Sequence, residues 1–226
     1  MMEVGGQPSL AYQIARIKRS AKVDAVVLAT TAQESDAPVR ALGAELGVGV
    51  FEGEEADVLG RVAGAARATG AKIVVRLTGD CPLIDPALID QTVDLLEESG
   101  ADVSTNSYPR TFPIGMDVEV VRGDALFEAD RLASDSYERE HVMPYLYAHP
   151  DRYQVARLRS DKDLSGYRLT MDMKEDLELI RRIADHFSDQ PFGAEEIVAL
   201  LDERPEWKAL NQGIAQKVRR HEVAKA

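Results

Sequence analysis

A chain of 226 residues, 45% of them hydrophobic, is long enough to bury one sizeable core and needs no division into further domains. Its 39 Asp and Glu against 27 Lys and Arg give a net charge of -12, which repels a phosphate backbone and argues against nucleic acid as a partner. The single cysteine, Cys81, cannot form an internal disulfide, no apolar run approaches the roughly 20 residues that span a bilayer, and the N-terminus lacks a signal-peptide pattern, so a cytoplasmic location is the expectation.

Leu10, Ile14 and Ile17 recur at helical spacing, and Ala25 to Ala29 is a short continuous apolar run of the kind a buried parallel strand makes. The alternation repeats: a helix over Pro38 to Leu46 stopped by Gly47, a strand over Val48 to Phe51, a helix over Val58 to Ala68 stopped by Gly70, and a buried strand over Ile73 to Leu77. Strand, helix and strand with short glycine-marked joins predict an α/β fold with a mainly parallel sheet. After Leu77, Gly79 and Pro82 exclude continued strand, and Asp85-Pro86 supplies an N-cap with proline at the first helical position, predicting a helix from Ala87 to about Glu98.

From Ala101 to Arg122 the pattern changes. Ser104, Asn106, Pro109 and Pro113 predict a ligand loop or lid, and Asp117 to Val121 alternates as a strand with one exposed face. Further strands are predicted over Tyr153 to Leu158 and Tyr167 to Met171, preceded by a helix around His141 to Ala148. Helices over Lys174 to Phe187 and Ala194 to Leu201 and a basic tail from Lys217 complete the chain, with residues 194–226 forming a C-terminal helical extension.

In open α/β sheets ligands bind beyond the carboxyl ends of the strands, and two acids fall there. Asp80 lies three residues past Leu77, and Asp172 directly follows Met171. Two carboxylates facing one crevice call for a cation, and Mg²⁺ takes one or two carboxylates together with phosphate oxygens and water. The alternative is that each acid serves the backbone, Asp172 capping the helix that starts at Lys174 and Asp80 bracing its own turn. Cys81 reads as a small buried residue, since no histidine lies nearby to activate it.

Four separated motifs carry a resemblance. They are Val75-Arg76-Leu77-Thr78-Gly79-Asp80-Cys81-Pro82-Leu83-Ile84-Asp85-Pro86; Phe112 to Val120; Glu138-Arg139-Glu140-His141-Val142 with Pro144-Tyr145; and Arg168-Leu169-Thr170-Met171-Asp172 with Glu175-Asp176-Leu177. In this order they resemble the spore-coat polysaccharide biosynthesis protein F family, a branch of the cytidylyltransferases, and the likeness reaches Pro205-Glu206-Trp207 and Leu210-Asn211. The resemblance implies a nucleotide-diphosphosugar transferase (Rossmann-like) fold and a reaction in which CTP and an acidic sugar give a CMP-sugar and pyrophosphate for surface polysaccharide synthesis. It places catalytic Mg²⁺ on Asp80 and Asp172. It also implies nucleotide contacts from Thr30, Asp57, Arg61, Thr78, Gly79 and Asp80, sugar contacts from Asn106, Ser107, Asp117, Glu140, His141 and Arg168, and a homodimer. Spacing alone reads Asp57 as a helix cap and His141 as a packed core residue. Arg76 and Arg168 flank the acids, either as phosphate or carboxylate ligands or as salt-bridge partners.

Such proteins ordinarily open with a buried strand and an Arg-x-x-Ser-x-Arg-x-x-Gly-Lys loop that embraces the triphosphate. Met1 to Leu10 resembles the segment just after that loop, and no Gly-Lys pair occurs anywhere in the chain. The expectation is therefore a domain lacking its first strand and phosphate loop, inactive until they are restored. A glycosyltransferase, whose Asp-x-Asp motif is approximated only by Asp172-Met173-Lys174 and Asp161-Lys162-Asp163, and a non-catalytic homologue are the competing readings.

Overall fold

The computed structural model describes residues 2–188 and 190–216; the predicted basic tail from Lys217 lies outside them. A two-residue hairpin, β1 (Glu3–Val4) with β2 (Gln7–Pro8), leads into α1 (Ser9–Ile17). The chain then runs β3 (Val27–Thr31), α2 (Ala37–Glu45), β4 (Gly49–Gly53), α3 (Val58–Thr69), β5 (Ile73–Arg76), α4 (Pro86–Ser99) and β6 (Val103–Thr105). It continues with β7 (Glu119–Arg122), α5 (Gly123–Leu132), α6 (Ser136–His141), α7 (Pro144–Ala148) and β8 (Val155–Arg157), and ends with α8 (Lys174–Phe187), α9 (Ala194–Glu203) and α10 (Pro205–Lys208).

Local chemistry explains most of these boundaries. The Asp57 carboxylate accepts from the Gly60 amide at the start of α3, and Gly70 ends that helix at φ 68. Asp85 caps α4 through the Ala87 amide at 2.9 Å, and its other oxygen accepts from Ala194 N at 2.8 Å, so one side chain satisfies the first turns of two helices. The helix expected over His141 to Ala148 is two short ones. They break at Val142, which is fully buried at φ 72, and Pro144 then starts α7.

The ladders form a mixed arrangement. β3 and β4 pair in parallel, and a second sheet runs β5-β7-β6-β8, in which β7 is antiparallel to both neighbours and β6 and β8 are parallel. Among the described residues β3 pairs only with β4 and β5 only with β7, so each keeps one unpaired edge. α3 covers both ladders. The ring of Phe51 from β4 lies under Gly64, while Leu59, Ala63 and Ala66 belong to the apolar cluster against which Val74 of β5 packs. On the opposite side Val26, Ile73, Val75 and Leu77 pack on a common core with Ile17, Leu83 and Ile84. α3 thus bridges a slot between the edges of β3 and β5 that have no strand partner among the described residues.

The strand expected over Tyr167 to Met171 is instead a single parallel bridge between Ile114 and Arg168. Ile114 N donates to Tyr167 O and Leu169 N to Ile114 O, but the partner chain turns away at Gly115, whose φ is +92. A Cβ there would stand 2.4 Å from the Leu169 carbonyl carbon, so this close approach requires glycine. The elements not anticipated include the β1–β2 hairpin, β6, inside the expected loop, and α5.

Candidate active site

β5, β6 and β8 run in the same direction, so their carboxyl ends share one edge of the sheet. Asp80 sits in the turn after β5. The turn is held from α1, where Gln13 donates to Thr78 O at 2.8 Å, and from within, where Cys81 Sγ donates to Asp80 Oδ1 at 3.4 Å. Cys81 itself is buried, and burial pushes its thiol well above the ordinary range, as suits an inert core residue. Thr170 donates from Oγ1 to Asp80 Oδ2 at 3.1 Å. Thr170 lies two residues before Asp172, so this bond ties the segment carrying the second acid to the turn carrying the first.

Asp172 does not cap α8. The first amides of that helix are served by Asp176, whose Oδ2 accepts from Met173 N at 3.0 Å and Asp172 N at 3.2 Å. Asp176 is fully buried; desolvation alone would raise its pKa, but hydrogen bonds from Arg168 and Asn211 and from the Met173 amide hold it below the usual carboxylate value. Arg168 donates to Asp176 through Nε and Nη2, each at 2.9 Å, and from Nη2 to Asp172 Oδ2 at 2.7 Å. Asn211 closes the cluster, donating to Asp176 Oδ1 at 2.8 Å and Arg168 O at 2.9 Å. Arg168, expected at the sugar, is thus a buried brace behind Asp172. Arg76 is likewise an ion-pair partner, 2.5 Å from Glu119, which also accepts from the Tyr147 hydroxyl at 3.1 Å.

The other expected sugar contacts divide. Asn106 is in the core: Nδ2 donates to Met116 O at 2.8 Å and Oδ1 accepts from Val118 N at 2.7 Å, so it staples the base of the loop. Ser107 is buried and pairs with Thr105 at 2.9 Å. Asp117 is engaged bidentately by Arg110, with Nη2 to Oδ2 at 2.8 Å. Neither Asn106 nor Ser107 is presented to a ligand, because short polar side chains beside prolines were used to satisfy backbone rather than to face solvent. Glu140 is exposed on α6 and the half-buried His141 ring packs edge-on against Tyr137, 4.3 Å between centroids; α6 lies against α3.

A second opening of about 610 Å³ lies at the carboxyl ends of β3 and β4, lined by Thr31, Ala32, Gln33, Gly53, Glu54, Glu55 and Ala56. Of the expected nucleotide residues, Thr30 and Arg61 shape it rather than line it. Asp36 Oδ2 accepts from Thr30 Oγ1 at 2.9 Å and from Thr31 Oγ1 at 2.6 Å, and Arg61 Nη1 donates to the carbonyls of Glu54 and Glu55. Asp57 is both cap and ion pair: besides Gly60 it accepts from Arg139 Nε at 2.8 Å and Nη2 at 2.6 Å. Gln13, Thr170, Asp176 and Asn211 were missed as site-builders. The one readable signal was the position of Asp176 in the first turn of the predicted helix from Lys174, where an acidic side chain can reach back to the first amides.

Parallel and antiparallel ladders covered by helices, with a cleft at the carboxyl ends of β3 and β4, define an α/β fold of the nucleotide-diphosphosugar transferase type. A solved cytidylyltransferase from Leptospira borgpetersenii serovar Hardjo-bovis superimposes with a TM-score of 0.88 at 32% identity, covering 97% of this chain and 91% of that one. The chain belongs to the cytidylyltransferase family, whose model matches residues 1–213. It is 32% identical over 212 residues to the spore coat polysaccharide biosynthesis protein SpsF of Bacillus subtilis, covering 90% of this chain and 87% of that protein. A 3-deoxy-manno-octulosonate cytidylyltransferase of Anaeromyxobacter dehalogenans is 36% identical over 111 residues, 48% of this chain and 44% of that protein.

Proposed function

We propose that this protein transfers CMP from CTP to a sugar acid, releasing pyrophosphate, and that Asp80 and Asp172 hold the divalent cation, Mg²⁺, that the reaction requires. The observation that carries the reading is the Thr170 to Asp80 hydrogen bond, which brings the two acids to one edge of the sheet. The donor set suits a hard cation: each acid is steadied by a neighbour, Asp80 by Thr170 and Asp172 by Arg168, and neither is buried. When bound there, the cation would neutralise phosphate charge and lower the pKa of the attacking hydroxyl. The protein's own work is alignment. The cleft at Thr31 and Gly53–Ala56 is of the size that takes a nucleoside, and it lies at the carboxyl ends of β3 and β4. In this reading the base and ribose occupy that cleft and the phosphates extend from it toward the acids.

The slot also bears on the phosphates. The arginines beside the acids are already neutralised, Arg76 by Glu119, Arg110 by Asp117 and Arg168 by Asp172 and Asp176. Four phosphate charges need cations and amides from elsewhere. In this reading a further apolar strand, encoded upstream of Met1, fills the slot, and the loop after it supplies them. Support comes from the edges of β3 and β5 that lack a strand partner among the described residues, and from the half-exposure of apolar Val27, Leu28, Ile73, Val74 and Val75 beside them, which a further strand would cover. The test is pyrophosphate release from CTP by the upstream-extended chain, with a panel of sugar acids and neutral sugars. Release that depends on both acceptor and Mg²⁺ is the expected result; hydrolysis of a ready-made nucleotide sugar, without release from CTP, would replace it with glycosyl transfer.

A further inference from the structure

The ladder registers place Arg76 opposite Glu119, Glu119 opposite Thr105, and Thr105 opposite Arg157. Cross-strand partners share a face, so these residues form one transverse row at the carboxyl edge. Within the row Arg76 and Glu119 neutralise each other, and Thr105 is buried and bonded to Ser107. Arg157 is different. It is exposed, it has no ion-pair partner among the described residues, its Nη1 makes one long hydrogen bond of 3.4 Å to Val155 O, and its guanidinium sits 5.8 Å from the centroid of the Tyr108 ring. Tyr108 in turn tilts against Tyr147, 6.3 Å between centroids, and Tyr147 is anchored on Glu119. A cation oriented by an aromatic face and left without a counter-charge is poised for an anion brought from solution.

We propose that Arg157, oriented by Tyr108, recognises the carboxylate of the acceptor and so selects sugar acids over neutral sugars. The proposal rests on the nucleotidyl-transfer reading above. Three features set the ligand class. A single guanidinium fork matches one carboxylate bidentately, whereas a phosphate dianion calls for several cations or amides. The strand order puts Arg157 three spacings, roughly 14 Å, from Arg76 along the carboxyl edge, a span on the scale of a sugar rather than a lone phosphate. The Tyr108 and Tyr147 rings beside Arg157 offer an apolar face against which a sugar ring can pack.

The test uses the 226-residue chain with 3-deoxy-manno-octulosonate as probe, its methyl ester as the uncharged counterpart, and ligand-observed NMR as the readout. Arg157→Gln should weaken binding of the acid at least tenfold, Arg157→Lys should recover part of that loss, and the Gln variant should no longer distinguish acid from ester. Arg159→Gln is the comparator, because Arg159 lies past the end of β8 with no ring to orient it; a change below twofold is expected there. Equal losses at Arg157 and Arg159 would reveal a diffuse charge effect and overturn the proposal. So would equal binding of acid and ester by the wild-type chain, or no binding of the acid at all. Pyrophosphate release from CTP driven by a neutral sugar in the extended chain would overturn this inference while leaving nucleotidyl transfer standing.

Discussion

Asp172 stands at the end of a braced segment with its side chain 49% exposed and one oxygen on Arg168. Asp172→Asn keeps an oxygen for that bond but removes the charge that would hold a cation. In the extended chain turnover should therefore fall by about 100-fold or more, while the melting temperature barely moves. Glu175→Gln is the control: Glu175 sits in the first turn of α8, 3.8 Å from Lys174, and its loss should leave turnover nearly intact. Steady-state kinetics and thermal melts on the pair decide it; a similar fall in both would mean that Asp172 carries no special role. Asp80 and Asp172 stand out in the sequence because Asp80 follows an apolar run through Thr78-Gly79 and Asp172 directly follows Leu169-Thr170-Met171. The destinations of Asn106 and Arg168 were not. A polar residue beside a site reads as a ligand whether it faces outward or inward, and only the partners, Met116 O and Val118 N in one case and Asp176 in the other, decide which.

At the scale of elements, the start of α8 depends on one buried pair. Asp176 is fully buried, the Arg168 side chain is 7% exposed, and together they fix Asp172, the first amides of the helix and Asn211. Asp176→Asn leaves a buried guanidinium short of its counter-charge and should destabilise the fold by about 3 kcal/mol or more at neutral pH, as measured by urea unfolding. The pH dependence has a defined sign. The folded pKa of Asp176 lies below its unfolded value of about 3.9, so its contribution is complete above that value and is lost as pH falls through the folded pKa. The gap between wild type and Asp176→Asn should accordingly narrow in acid and stay constant above about pH 5. A gap that widened in acid would contradict the assignment. Element type was readable wherever pattern and punctuation agreed, as for α3 between Asp57 and Gly70 and for α4 between Asp85 and Gly100. It failed where tertiary partners decide. β6 is three residues long and owes its strand character to β7 and β8, and the Arg168 segment, though patterned as a strand, finds one bridge because its neighbour turns away at Gly115.

For the whole molecule, the edges of β3 and β5 without a strand partner among the described residues are the feature on which the proposal about stability and chemistry turns. The α/β class followed from the alternation of apolar runs and helices, but the separation of the ladders did not, since nothing local in Val27–Thr31 or Ile73–Arg76 records which edge has a partner. If the slot takes a strand from upstream of Met1, the extended chain should be more stable than the 226-residue chain. Alternate amides of β3 and β5 that exchange quickly in the shorter form should also become protected in the longer one. The same comparison separates the contributions of acids and loop. The shorter chain has Asp80 and Asp172 in place, yet its neighbouring arginines are committed to Glu119, Asp117 and Asp176, so a cation on the two acids would meet the triphosphate without the amides and basic side chains that spread its remaining charge. Titration calorimetry with CTP at saturating Mg²⁺ is therefore expected to show no measurable binding to the 226-residue chain and clear Mg²⁺-dependent binding to the extended one. Tight, Mg²⁺-dependent binding by the shorter chain would mean that the cleft and the two acids suffice to hold the nucleotide, and that the slot serves stability alone.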